Sequence, residues 1–179
     1  MKDHFKYYLP LTVFLFSFWT ANCQEEINLK LRHIKGVKGM EIGGGITKFG
    51  SYYQASYLHF IKDKFYMKPS FAFETGKIGL TQYQEHSLFI EFDRDLFVLK
   101  EFLFVSVGLA PAIQVQNTNN EIVKPNNIYY PLGVMMNVNL EFFIFNKVTL
   151  NAQVAEIYSP KDKFGAFRYT IGGGVKIYF

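Results

Sequence analysis

Along most of this chain, apolar and polar side chains alternate one by one in stretches of about ten residues, and the alternation breaks only at turn-forming residues. A period of two places successive side chains on opposite faces of an extended strand. The pattern specifies strands with one apolar and one polar face, and excludes amphipathic helices over the same stretches. It is plainest at the end of the chain. Phe167, Tyr169, Ile171, Gly173, Val175, Ile177 and Phe179 share one face, and Ala166, Arg168, Thr170, Gly172, Gly174, Lys176 and Tyr178 share the other.

Eight such strands can be read. The first, about Gly39 to Lys48, sets Met40, Ile42 and Ile46 against Glu41 and Thr47. The second, about Tyr52 to Lys62, sets Tyr53, Ala55, Tyr57 and Ile61 against Gln54 and Ser56, with His59 falling on the apolar side. The third, about Phe65 to Gly76, opposes Phe71 and Phe73 to Lys68, Ser70 and Glu74. The fourth, about Gln82 to Asp93, opposes Leu88, Ile90 and Phe92 to Ser87, Phe89 and Glu91. The fifth runs from about Lys100 to Val115, with Leu103, Val105, Val107 and Leu109 on its apolar face. The sixth, about Ile128 to Phe145, opposes Leu132, Val134, Met136, Val138, Leu140 and Phe142 to Asn137, Asn139 and Glu141. The seventh, about Val148 to Tyr158, opposes Leu150 and Val154 to Asn151 and Gln153; the eighth is the terminal strand.

Connections alternate in length. Lys62-Asp63-Lys64, Asp93 to Leu99 and Asn146-Lys147 are short or moderate, whereas Thr75 to Thr81, Gln116 to Asn127 and Ser159 to Gly165 are mostly longer and rich in Asn, Pro, Lys and Gly. An even strand number with short turns on one side and longer loops on the other is the arrangement of a bacterial outer-membrane barrel. The strands also have the span of about 9–11 tilted residues that crosses a hydrocarbon layer.

A soluble barrel would show the same alternation with its faces exchanged. Volume decides between them. Turning Phe71, Phe73, Phe92, Leu140, Phe142, Phe167 and Phe179 inward would overfill an eight-stranded lumen, which has little spare room. Turning the polar faces inward encloses Glu41, Glu74, Glu91, Glu141, Arg168 and Lys176, whose opposite charges can pair. The expected fold is therefore all-β: an eight-stranded antiparallel up-and-down transmembrane β-barrel whose partner is outer-membrane lipid. Tyr53, Tyr57, Phe65, Phe142, Phe145, Phe167 and Phe179 near strand ends suit aromatic girdles. The aromatic content of 18%, with 20 Phe and 12 Tyr, fits strands.

Residues 1–23 read as an export signal. Lys2 and Lys6 form a basic start, Tyr7 to Thr20 an apolar run shorter than a membrane-spanning helix, and Ala21-Asn22-Cys23 a cleavage site before Gln24. Lipidation of Cys23 is the alternative, disfavoured by Asn22. Residues 24–37 form a short periplasmic segment and residues 38–179 the barrel. Cleavage removes Lys2, Lys6 and Asp3, so the 19 Lys+Arg and 15 Asp+Glu become 17 and 14, a net +3, and the single cysteine is lost. That charge is too small and too dispersed for direct nucleic-acid binding.

The glycine triplets Gly43-Gly44-Gly45 and Gly172-Gly173-Gly174 lie in the first and last strands, which must pair to close the barrel. They are read as relieving crowding at the seam. A phosphate-cradling loop is excluded, because no Lys-Ser/Thr ending or helix pattern follows Gly45. Catalysis lacks a constellation. His33 precedes the barrel, His59 lies within a strand, and His86 beside Glu85 is one weak pair; no nucleophile with a base and no metal-spaced cluster emerges. The expectation is a protein that is not an enzyme and carries no cofactor.

Three stretches carry a family resemblance: Lys38-Gly39-Met40-Glu41-Ile42, Asn127-Ile128-Tyr129-Tyr130-Pro131-Leu132-Gly133, and Phe167 to Phe179. With them, residues 36–179 resemble the TraO-type conjugal transfer proteins of Bacteroidetes conjugative transposons. The resemblance implies a part in DNA transfer between cells, as an envelope component among other conjugation proteins. The face formed by Phe167, Tyr169, Ile171, Val175, Ile177 and Phe179 also resembles the terminal signal read by barrel-assembly machinery.

Overall fold

The computed structural model describes residues 33–79, 81–100, 102–119, 127–160 and 165–179. The expected export signal, Cys23 and most of the segment before the barrel lie outside the described residues. Among those residues the chain forms nine strands: β1 (Lys38–Thr47), β2 (Gly50–Lys62), β3 (Phe65–Ile78), β4 (Thr81–Leu99), β5 (Leu103–Asn119), β6 (Asn127–Tyr129), β7 (Leu132–Phe145), β8 (Val148–Tyr158) and β9 (Phe167–Tyr178). All pairings are antiparallel. β1 pairs with β9 and β4 with β5, so the sheet closes on itself. β6 only extends the wall beside the far end of β5, leaving eight strands around the barrel. Closure pairs the edges that would otherwise be left open.

The strands depart from expectation in four places, the first being that β3 runs to Ile78 and β4 begins at Thr81, so the loop expected over Thr75 to Thr81 is mostly paired strand. The sixth expected strand is divided into β6 and β7 at Tyr130-Pro131, where proline supplies no N–H for a ladder. β4 continues to Leu99, where a connection from Asp93 was expected. Asp93 and Asp95 keep the alternation by pointing inward, so the charges belong to the strand's enclosed face. β5 likewise continues to Asn119, which places Gln116 in the wall, fully buried, rather than in a loop.

Burial follows the inside-out assignment. Ile42 is 71% exposed, Met136 65% and Phe179 62%, whereas Lys68, Glu91, Asn139 and Lys176 are at 0%. That is the reverse of the distribution in a water-soluble protein. In β2, Leu58 and Phe60 turn inward and His59 outward.

The two glycine triplets meet at the closing seam, Gly43 opposite Gly174, Gly44 opposite Gly173 and Gly45 opposite Gly172. A Cβ on Gly174 would lie 2.5 Å from the Ile42 carbonyl oxygen, and one on Gly43 2.8 Å from that of Gly173. Neither distance admits a side chain without moving backbone. The ladder then runs to the last residue, since the Phe179 N–H donates to the Lys38 carbonyl at 2.9 Å.

Candidate functional site: a filled lumen

Strand register places the inward charges. On β1 and β9, Glu41 lies directly opposite Lys176; on β3 and β4, Lys68 lies opposite Glu91. Opposed side chains on one face of an antiparallel pair are close enough to interact. Lys68 Nζ reaches Glu91 at 3.0 Å and Glu41 at 3.5 Å, and Lys176 Nζ reaches Glu141 at 2.7 Å. Amides add further donors: Asn151 donates to Glu41 at 2.8 Å, Asn137 to Glu91 at 2.6 Å, and Asn139 to Asp93 at 3.1 Å.

A second network lies nearer the end that carries the longer loops. Glu74 and Glu85 face each other across β3 and β4, a like-charge pair that repels. Arg168 reaches across the lumen from β9 and separates them, with Nη1 3.3 Å from Glu74 and Nη2 2.8 Å from Glu85. Thr47 and Tyr83 also donate to Glu74, and Gln114 and Gln116 donate to Glu85 at 2.8 and 2.7 Å. An inward apolar cluster of Ala72, Phe89, Ala110, Ala112, Met135, Ala155 and Ile157 occupies part of the remaining lumen.

The turn-side mouth is closed by Leu58, Phe60, Tyr66, Phe104, Phe143 and Tyr178, with Val37 packed beneath. His33 sits among these rings, 6% exposed, although it precedes the first strand. Its Nδ1 is 2.6 Å from Asp95 and its Nε2 3.5 Å from Glu141. Burial by itself would push this imidazole down, but Glu141 and Asp95 together outweigh burial and hold it above its ordinary value.

The six charged residues expected in one lumen network thus fall into two. Glu41, Glu91, Glu141 and Lys176 join Lys68 in one, and Glu74 and Arg168 join Glu85 in the other. Among the described residues, seven buried carboxylates face three buried Lys or Arg side chains and His33, so several rely on amide or hydroxyl donors. Sequence reasoning missed Glu85, Asp93, Asp95 and His33. Counting by twos from Glu91 reaches the first three. His33 carried no signal, because its position depends on the mouth it fills. Phe167, Tyr169, Ile171, Val175 and Ile177 lie on the outward face of β9, and Phe179, one residue beyond it, is likewise exposed. His86 also points outward, 5.0 Å from the Phe73 ring, while Glu85 points inward, so their adjacency makes no catalytic pair.

A closed antiparallel barrel with an apolar exterior and an ion-paired interior is the fold of the small outer-membrane β-barrels. Solved structures agree. The chain is similar to Neisserial surface protein A (13% identity, TM-score 0.65, covering 80% of this chain and 96% of that one). It is also similar to the N-terminal β-barrel domain of Pseudomonas aeruginosa OprF (14%, 0.61, 81% and 98%). A third is Ail, the attachment invasion locus protein of Yersinia pestis (12%, 0.58, 82% and 100%). At these identities the likeness is one of fold. No protein-family model matches the chain, and no curated protein matches it.

Proposed function

We propose that the mature chain is an outer-membrane barrel that serves as a structural and docking component rather than as an enzyme or an open pore, and that the assembly it serves is a conjugative DNA-transfer apparatus. One observation carries the first part. The lumen is filled by its own ion-paired side chains while the apolar side chains face outward, so the interior is occupied and the exterior suits acyl chains. An eight-stranded wall with such an interior leaves no passage for DNA. The work then falls to the loop end and the turn end, which would meet other proteins.

The conjugative setting rests on the resemblance of the first strand, residues 127–133 and the terminal strand to TraO-type proteins. The outward face of β9, ending in Phe179, is the part assigned to recognition by barrel-assembly machinery. The test is a clean deletion in a donor strain, complemented in trans, with transfer frequency as the readout. A drop of several orders of magnitude that complementation restores supports the role. Unchanged transfer assigns the chain instead to the general surface barrels, porin-like or adhesive. The membrane assignment has a separate check: a mature chain that is monomeric and folded in buffer without detergent overturns it.

A further inference from the structure

We infer that the turn-side mouth of the barrel is a receptor for an imidazolium-sized cation, occupied in cis by the chain's own His33. The ring wall of the seat is built from five strands. Phe104 of β5 stacks on the imidazole at 4.0 Å and 29°, Phe60 of β2 lies at 4.8 Å, and Phe143 of β7, Tyr178 of β9 and Tyr66 of β3 complete the ring wall at 5.7, 5.9 and 6.4 Å. Two carboxylates add charge, Asp95 at 2.6 Å and Glu141 at 3.5 Å. One stacked aromatic face, four tilted or edge-on rings and two carboxylates form a cage that attracts a flat cation and leaves a neutral apolar occupant with an unpaired buried charge.

The carboxylates differ in how far they depend on this occupant. Glu141 already holds Lys176 at 2.7 Å and accepts a hydrogen bond from Tyr178 at 2.5 Å. Among the described residues Asp95 has His33 as its one ion-pair partner, and neither its Oδ1 nor His33 Nε2 has a hydrogen-bond partner. Among the described residues, the rings that β2 and β5 bring to the imidazole are Phe60 and Phe104, and the charged groups that reach it are Asp95 and Glu141. The imidazole held above its ordinary value agrees with a cationic occupant.

The segment that carries His33 is tied to the rim by backbone bonds. The Lys64 N–H donates to the His33 carbonyl at 2.9 Å, Gly36 N–H to the Phe60 carbonyl at 2.8 Å, and Phe60 N–H to the Val37 carbonyl at 2.9 Å. Lys35 N–H adds a bond to Asp63 at 2.9 Å. These ties hold the segment whatever side chain stands at position 33, so the ring can be removed and replaced from solution.

The experiment is chemical rescue. His33→Ala, refolded into lipid vesicles or detergent, vacates the cage; its thermal midpoint is measured by heat-modifiable mobility with and without imidazole at about pH 6, where free imidazole is largely cationic. The expected result is a lower midpoint than wild type that imidazole raises with roughly millimolar affinity. Wild type, whose cage is full, and the double variant H33A/D95N should not respond. His33→Gln is run in parallel, and recovery of folded protein on adding imidazole counts in favour for either variant. Three results overturn the inference: no imidazole response or recovery in either variant, an equal response to uncharged toluene, or a response that survives D95N. None of these readouts depends on conjugation, so the receptor and the proposed role in transfer stand or fall separately.

Discussion

Replacing Arg168 with methionine tests the account of the lumen most directly. Methionine keeps much of the side-chain volume but removes the guanidinium that separates Glu74 from Glu85. Those residues are directly opposed, and both are almost fully buried. At the 2.8 Å separation from Glu85, a pair of unit charges is worth about 6 kcal/mol at an effective dielectric near 20. Removing one partner of a buried pair costs about 3–5 kcal/mol in practice, because the orphaned groups rehydrate or protonate in part. The hydrogen bonds from Thr47, Tyr83, Gln114 and Gln116 remain in the variant, which favours the lower half of that range. R168M should therefore unfold at markedly lower urea, by about 3 kcal/mol. The triple variant R168M/E74Q/E85Q should recover most of the loss by removing the uncompensated charges. The assay is urea titration in lipid vesicles, followed by heat-modifiable mobility and tyrosine fluorescence, since the single tryptophan, Trp19, lies in the expected export signal. A wild-type midpoint for R168M would refute the reasoning, as would a triple variant no more stable than the single one.

Three further outcomes follow from the same geometry. Gly174→Val places a side chain where a Cβ already lies 2.5 Å from the Ile42 carbonyl, so the closing seam should fail and the folded, faster-migrating band should be largely lost; Gly173→Leu on the outward face should impair assembly as well. Deleting Phe179 removes the last rung on Lys38 and the terminal aromatic of the outward β9 face; outer-membrane insertion in cells should fall several-fold, and unchanged heat-modifiable migration would contradict it. His33 has a raised folded value, so its contribution to stability is fully present below about pH 6.5 and is lost as pH rises through the folded value. The stability advantage of wild type over H33Q should shrink on alkalinisation, and an advantage that instead grew with pH would contradict the ion pair with Asp95.

Much of this architecture was legible in the residue order. Parity alone separates Glu41, Lys68, Glu91, Glu141, Arg168 and Lys176 from Ile42, Phe71, Leu140 and Phe179, because a strand offers only two faces and every step exchanges them. It also reaches strand type and the pairing of the first and last strands, whose glycine triplets match in length. Tertiary structure decided what parity cannot: which inward charge meets which. Lys68 stands against Glu91 because β3 and β4 share a register, while Arg168 serves Glu74 and Glu85 because the wall curves β9 round to face them. His33 is the extreme case. Its place in the mouth depends on rings from β2, β3, β5, β7 and β9 that are dispersed along the chain and converge only when the sheet closes, since neither alternation nor local propensity encodes a contact made across a lumen.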